Sequence, residues 1–253
     1  MNTFTDSFVT AFSLITSLDP VLASITARSL AVSSVACVGA CSVGLLLGSW
    51  LGVARFAGRG VVLALLNTAL ALPSVVVGLV VYLMLSRSGP LGFLGWLFSF
   101  KAMVLAQAVL VLPVVTALVR QTIEDADRLH GEQFESLGAG RLVRSLLLLW
   151  DERLALLTVL VATFGRAISE VGAVMVVGGN IDGFTRVMTT SIALETNKGD
   201  LPLALALGIV LLALVLLLNG LIAGVRHLAK RQARIDTASG LLPPSIAPPA
   251  ALR

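Results

Sequence analysis

Five long apolar segments constrain this chain more than any other feature of its sequence. They cover residues 30–51, 61–86, 102–119, 154–177 and 201–225. About 20 apolar residues cross the hydrocarbon core of a bilayer, and only a closed backbone hydrogen-bond pattern is stable there. Only 13% of the 253 residues are charged, which is too few for a soluble surface of this size. We therefore predict an all-α polytopic membrane protein with five transmembrane helices.

Prolines and glycines inside these segments predict how the helices bend and pack. Pro73 and Pro113 each remove a backbone hydrogen bond, so we expect kinks in the second and third helices. Glycines recur at intervals of four or five along the first segment, a pattern that lets a neighbouring helix approach closely. These are Gly39, Gly44, Gly48 and Gly52.

The distribution of basic residues predicts the orientation of the chain. One side of the five segments carries twelve bases, and the other carries four, or five with Arg28 near the border. Cytoplasmic loops are rich in lysine and arginine, so the first side is predicted to be cytoplasmic. It includes Arg55, Arg59, five bases in the loop 120–153, and Arg226, Lys230, Arg231, Arg234 and Arg253. The C-terminus is then inside and the N-terminus outside.

Three regions follow from this layout. Residues 1–20 are predicted to be an amphipathic helix at the outer interface, because their apolar residues recur at helical spacing before Pro20. A sixth crossing is the alternative, although this stretch is short and polar. Residues 21–228 form the transmembrane domain. Residues 229–253, which include two Pro-Pro pairs, are predicted to be a disordered cytoplasmic tail.

The chain lacks the residues that an ATP site, a metal site or a catalytic centre requires. A phosphate-binding loop needs Gly-Lys followed by Ser or Thr, whereas Lys101, Lys198 and Lys230 precede alanine, glycine and arginine. Cys37 and Cys41 lie in an apolar run, and two histidines are too few for a metal site. We therefore expect no cofactor or metal, no enzyme activity and no nucleic-acid partner.

The loop 120–153 is the one dense cluster of charge, with seven acids and five bases. Thr122 and Asp125 are spaced as in a capping box, so we expect a helix to begin there and to end at Gly138. A second helix is predicted over 142–150, which gives a helix-turn-helix on the cytoplasmic surface. A solvated connector is the alternative. However, Phe134 and Leu137, predicted to be exposed beside acidic residues, favour a helix that lies in a partner's groove.

The segment 132–138 resembles the coupling loop of ATP-binding-cassette importer permeases. Their pattern is Glu-Ala-Ala, three residues, Gly, nine residues, and then Ile-x-Leu-Pro. Glu132 and Gly138 match in identity and spacing, and Leu148 takes the isoleucine position. The sequence departs from the pattern where Gln133-Phe134 replaces the two alanines and Trp150-Asp151 replaces Leu-Pro.

Two segments further along the chain resemble one group within these permeases. Phe-Gly-Arg-Ala-Ile-Ser-Glu-Val-Gly-Ala at 164–173, followed by Gly-Gly-Asn-Ile at 178–181, is similar to the oxyanion permeases for molybdate, sulfate and tungstate. Thr-Arg-Val-Met-Thr-Thr-Ser-Ile-Ala-Leu-Glu-Thr at 185–196 looks most like the tungstate branch.

The resemblance implies the type I ABC importer permease fold and the assembly that accompanies it. That assembly is a homodimer of permease subunits in the bacterial inner membrane, two cytoplasmic ATPase subunits that hold ATP and Mg²⁺, and an extracytoplasmic binding protein. The ATPase would be contacted through Glu132, Gln133, Phe134, Glu135, Leu137 and Gly138. The expected function is tungstate import by alternating access. Molybdate or sulfate import is the nearest alternative, and an ion-coupled secondary transporter would be expected to show inverted repeats.

Arg166 and Glu170 are a charged pair inside an apolar segment, four residues apart and so predicted to share one helix face. A charge in mid-membrane costs at least about 2.5 kcal/mol and therefore faces protein or water. One interpretation is a structural ion pair. The other is that the translocation pathway or its gate is lined by Thr163, Arg166, Ser169, Glu170 and Gly172.

The segment 178–200 is predicted to lie outside, with a turn at its start and a short helix before Pro202. Its three consecutive hydroxyl residues, Thr189 to Ser191, are typical of an ordinary polar surface. The alternative is that the segment contacts the binding protein and forms the outer gate through Gly179, Asn180, Thr189 and Thr190.

Overall fold

The computed structural model describes residues 3–238, and within this range the regular secondary structure is entirely helical. The helices are α1 (Thr3–Thr16), α2 (Pro20–Val53), α3 (Arg59–Leu70), α4 (Ser74–Leu85), α5 (Phe100–Ser136), α6 (Arg141–Asp151), α7 (Arg153–Ile168), α8 (Gly172–Gly178), α9 (Met188–Lys198) and α10 (Leu201–Ala238), with a 3-10 turn at Gly92–Leu94.

Helices α2 and α5, of 34 and 37 residues, form the most extensive helix pair within residues 3–238. A Cβ atom on Gly44, Gly48 or Gly52 would lie 2.7–2.9 Å from atoms of α5. The close approach predicted from the glycine spacing is therefore confirmed at these three positions. Gly39 faces open space and takes no part in it.

The start of α2 is fixed by a cap that lies before the first apolar segment. Asp19 Oδ1 accepts the N–H groups of Val21 and Leu22 at 2.9 and 3.0 Å, and Pro20 occupies the first helical turn. The helix thus begins ten residues before residue 30. The separate N-terminal helix predicted before Pro20 is present as α1, which packs on α10.

The two predicted proline kinks have different outcomes. Helix α5 continues through Pro113. At Pro73, in contrast, the chain breaks into α3 and α4, whose axes differ by 100°. Proline removes the N–H that would have joined the two helices, and Pro73 instead adopts the extended conformation at the cap of α4. A second break separates α7 from α8 with a bend of 55°.

The helix expected to begin at Thr122 does not begin there, because α5 runs without interruption from Phe100 to Ser136. The Thr122 hydroxyl donates to the Leu118 carbonyl at 3.0 Å, a bond inside the helix, and is not a cap. The third apolar segment and the first part of the charged loop therefore share one continuous helix.

Three described helices are long and apolar enough to span a membrane, and there are up to five spans if each bent pair counts as one. The three are Pro20–Val53, Phe100–Ser136 and Leu201–Leu221. Helix α10 continues to Ala238, so residues 229–238, predicted to be part of a disordered tail, belong to this helix. Residues 239–253 of that predicted tail lie outside the described residues.

Candidate functional site

Residues 120–153, here called the coupling hairpin, form the predicted helix-turn-helix. Leu137 ends α5, and Gly138 adopts φ 77°, which favours glycine. The turn is closed by the N–H of Gly138 to the Glu135 carbonyl at 2.9 Å and by the N–H of Ala139 to the Phe134 carbonyl at 3.0 Å. Helix α6 then folds back along α5.

The tip of the hairpin presents a small apolar and acidic surface. Leu137 is 81% exposed, as predicted, and its neighbours Glu132, Gln133, Glu135 and Gly138 are exposed as well. Phe134 was predicted to be exposed but is half-buried, because α6 covers it within the cluster that contains Ile123 and Leu148. Phe134 therefore holds the two helices of the hairpin together.

A buried arginine joins the two helices of the hairpin. Arg144 on α6 is 8% exposed, and its Nε lies 2.9 Å from Asp127 Oδ1 on α5. This is an ion-pair contact in which the N–H does not point at the oxygen. The Arg144 guanidinium also pairs with Glu135. A buried charge is stable only when it is paired, so these contacts resist opening of the hairpin.

The return of the hairpin to the apolar region is marked by Trp150 to Arg153. Arg153 donates to the Trp150 carbonyl at 2.9 Å, and its guanidinium lies 5.3 Å from the centre of the indole ring. Burial raises the pKa of the Glu152 carboxyl above its ordinary value, and the neighbouring charge of Asp151 acts in the same direction.

Arg166 and Glu170 do not form the predicted shared face, because α7 ends at Ile168 between them. Glu170 Oε1 accepts the Ala173 N–H at 3.2 Å at the start of α8. Arg166 is exposed and has no ion-pair partner among the side chains that the structure describes. The structural ion pair is therefore not formed in this conformation.

The other residues predicted to line the pathway differ in what they contact. Thr163 is 1% exposed, and its hydroxyl bonds to the Val159 carbonyl at 2.7 Å. Ser169 is exposed and bonds to the Gly165 carbonyl at 2.7 Å. A Cβ on Gly172 would lie 2.7 Å from Val75 Cγ2, so Gly172 is required for the contact between α8 and α4.

The predicted outer segment folds back onto the break between α7 and α8. Thr189 donates to the Glu170 carbonyl at 2.8 Å, and Asn180 donates to the Thr190 carbonyl at 3.3 Å. Thr189 and Thr190 are 6% and 1% exposed, so they are not surface hydroxyls. Gly179, in contrast, is exposed and adopts φ 70°. The structure thus brings Glu170, Asn180, Thr189 and Thr190 together.

Comparison with known proteins gives the family. Residues 44–231, which include the hairpin and both breaks, match the family described as the binding-protein-dependent transport system inner membrane component. The chain belongs to this family of ABC permeases.

Relatives of this permease include transporters of several anions. The tungstate uptake system permease protein of Peptoclostridium acidaminophilum is 41% identical over 90% of this chain and 100% of its own length. A probable anion ABC transporter permease of Haloferax volcanii is 43% identical over 81% of this chain and 90% of its own. The molybdenum permease of Escherichia coli is more distant, at 31% identity over 68% of this chain and 80% of its own.

A buried amide of α5 makes a contact near the break between α7 and α8 that was not predicted from the sequence. Gln107, 3% exposed on α5, donates to the Ala167 carbonyl at 2.7 Å, next to the break after α7. Two cavities of about 10 Å³ each lie beside it, and Glu170 lines both. The position of Gln107 inside an apolar segment could have indicated this contact, because a buried polar side chain in a membrane needs a partner.

Proposed function

We propose that this permease is the translocating subunit of an ATP-driven tungstate importer. Two features support the proposal: the identity to a tungstate uptake permease along that protein's whole length, and a rigid hairpin whose exposed tip matches the coupling-loop pattern. The hairpin is the part that passes movement of the ATPase to the membrane helices, because two helices packed on each other can transmit force and a mobile loop cannot.

The proposed complex is a homodimer with a cytoplasmic ATPase dimer that holds ATP-Mg and an extracytoplasmic binding protein. Each subunit contributes five spans, with the bent pairs α3–α4 and α7–α8 each counted as one. The twelve bases on one side support a cytoplasmic hairpin and C-terminus and an outer N-terminus. In this orientation α1 lies at the outer interface.

ATP binding drives the transport cycle by closing the ATPase subunits. The two hairpins then move together through Glu132, Gln133, Phe134, Glu135, Leu137 and Gly138, and the dimer opens toward the binding protein. Gly179, Asn180, Thr189 and Thr190 belong to the outer gate, where Gly179 is exposed for contact and the other three fix the fold of the segment.

Arg166 is the residue that favours an anion in the pathway. Its positive charge attracts a dianion, while the carboxylate of Glu170 two residues after the end of α7 moderates that attraction. Conduction requires binding that is weak enough for release, so a partly compensated charge is suitable. Thr163 and Gly172 pack behind the residues that line the pathway, and Ser169 is exposed next to Arg166.

Replacement of Leu137 by aspartate tests the docking surface. We expect Leu137→Asp to lower co-purification of the ATPase subunit by roughly tenfold, because buried interface leucines contribute about 1.5–3 kcal/mol. Leu18→Asp is the matched control, since Leu18 is 79% exposed on the proposed outer side and its φ of 52° is compatible with aspartate. Equal retention of the ATPase by both variants would contradict the proposal.

Two measurements distinguish the alternative substrates: anion binding by the cognate binding protein and anion uptake by the transporter. Calorimetry of that protein with tungstate, molybdate and sulfate, followed by uptake of each anion into proteoliposomes that contain the complete transporter, identifies the preferred ion. Transport by the permease alone, driven by an ion gradient, would instead support a secondary transporter.

A further inference from the structure

A buried carboxylate joins the coupling hairpin to a helix that is distant in sequence. Glu124 on α5 is 8% exposed and lies among three guanidinium groups. Arg120 Nη1 and Arg59 Nη2 lie 2.5 and 3.0 Å from Glu124 Oε2, and Arg128 Nη2 lies 3.1 Å from Oε1. Arg120 and Arg128 belong to the same helix as Glu124. Arg59 is the first residue of α3.

Helix α3 has few other attachments. None of its residues is buried, and its main helix contact is with α5. The Arg59 guanidinium also donates to the Leu51 carbonyl at 3.1 Å, and Arg141 on α6 donates to the Arg55 carbonyl at 3.4 Å. The hairpin therefore contacts the connector 54–58 through Arg141 on α6 and the first residue of α3 through Glu124 on α5.

The far end of α3 leads to the proposed translocation pathway. After the 100° break at Pro73, α4 packs tightly on α8, where a Cβ on Gly78 would lie 2.7 Å from Ala173 Cα. Helix α8 follows directly on the break that carries Glu170. A displacement of Arg59 is passed along α3 and the Pro73 bend to α4, and the closely packed α4 and α8 then shift as a unit.

We propose that Glu124 is a positioning residue that transmits the movement of the coupling hairpin through Arg59 to α3 and α4. This inference rests on the proposed function, since it requires an ATPase that moves the hairpin. Arg120 and Arg128 pair with Glu124 from its own helix, and Arg59 is the partner that carries the ion pair across to α3.

Arginine substitutions separate this role from general stabilisation. Arg59→Gln removes the partner on α3, whereas the matched control Arg128→Gln removes a partner of the same carboxylate on the helix of Glu124 itself. The complete transporter in proteoliposomes is supplied with ATP and tungstate, and tungstate imported per ATP hydrolysed is measured. We expect this ratio to fall about threefold or more in Arg59→Gln and to remain within about 1.5-fold in Arg128→Gln.

A merely structural role predicts a different result. Loss of folded transporter lowers hydrolysis and transport together and leaves their ratio unchanged, and that outcome would overturn the proposal. Arg59→Lys retains the charge and is expected to recover part of the ratio. Failure of Arg59→Lys to improve on Arg59→Gln also counts against an ionic link.

Co-purification of the ATPase distinguishes failure of this inference from failure of the proposed function. If the unaltered permease does not bind the ATPase, the proposed function is wrong. If Arg59→Gln binds the ATPase normally and transports tungstate at the normal ratio, only the Glu124 link is wrong. If Arg59→Gln loses the ATPase altogether, Arg59 shapes the docking surface and the link is overturned as well.

Discussion

At the scale of single residues, two polar side chains of this permease bond to backbone carbonyls at the break between α7 and α8. Gln107 donates to the Ala167 carbonyl, which also accepts the Glu170 N–H, and Thr189 donates to the Glu170 carbonyl. An unpaired carbonyl inside a membrane protein is costly, so such contacts stabilise a broken helix. The break between α7 and α8 is thus a defined structure and not a loosened helix.

The contribution of Gln107 can be measured directly. We expect Gln107→Leu to lower the free energy of unfolding by about 1 kcal/mol, in line with hydrogen bonds inside membrane proteins. Ser33→Ala is the control, because the Ser33 hydroxyl is 3.4 Å from the Gln107 amide and loses only a weak contact. Denaturant titration in detergent micelles gives both values. Equal losses would show that the bond to Ala167 has no special role.

At the scale of whole helices, the sequence predicted which segments are helical better than where they end. Each of the five predicted apolar segments is helical over most of its length, because a backbone in lipid must satisfy its own hydrogen bonds. Hydropathy could not show that Pro73 turns the chain by 100° and Pro113 does not, since that depends on which neighbours cover the break. The pairing of Glu124 with Arg59 was equally hidden, because it joins residues 65 positions apart. Only the contacts of Glu124 with Arg120 and Arg128 could be predicted from the sequence, because each of these arginines is four residues away on the same helix.

Alanine is predicted to destabilise the permease at one glycine of α2 and to stabilise it at another. In Gly48→Ala the new Cβ would lie 2.7 Å from the Thr116 carbonyl oxygen, which cannot move without displacing α5. We expect a loss of about 1–3 kcal/mol in unfolding free energy. Gly39→Ala is the matched control, since its Cβ enters open space, and the better helix former should add up to about 1 kcal/mol. A stabilising Gly48→Ala would refute the close approach of the two helices.

At the scale of the whole molecule, two regions of opposite character are joined by the long helix α5. Its C-terminal end carries the coupling hairpin, and its apolar part holds the break between α7 and α8 through Gln107. A single rigid helix of 37 residues spans about 55 Å. In the proposed mechanism, movement at the hairpin therefore reaches the region near Arg166 by two routes, through α5 itself and through Arg59 and α3.

The charge of Arg166 gives the last prediction, which concerns transport by the assembled complex. Arg166→Gln should leave assembly intact, because the guanidinium has no ion-pair partner among the described side chains. Tungstate uptake should fall roughly fivefold or more, since a unit charge contributes about 1 kcal/mol at about 4 Å even in water. Arg87→Gln is the control, because Arg87 is exposed near the end of α4, away from the break. Uptake by proteoliposomes with equal amounts of transporter provides the measurement. Normal uptake by Arg166→Gln would exclude Arg166 from the pathway and leave the charge without a role in translocation.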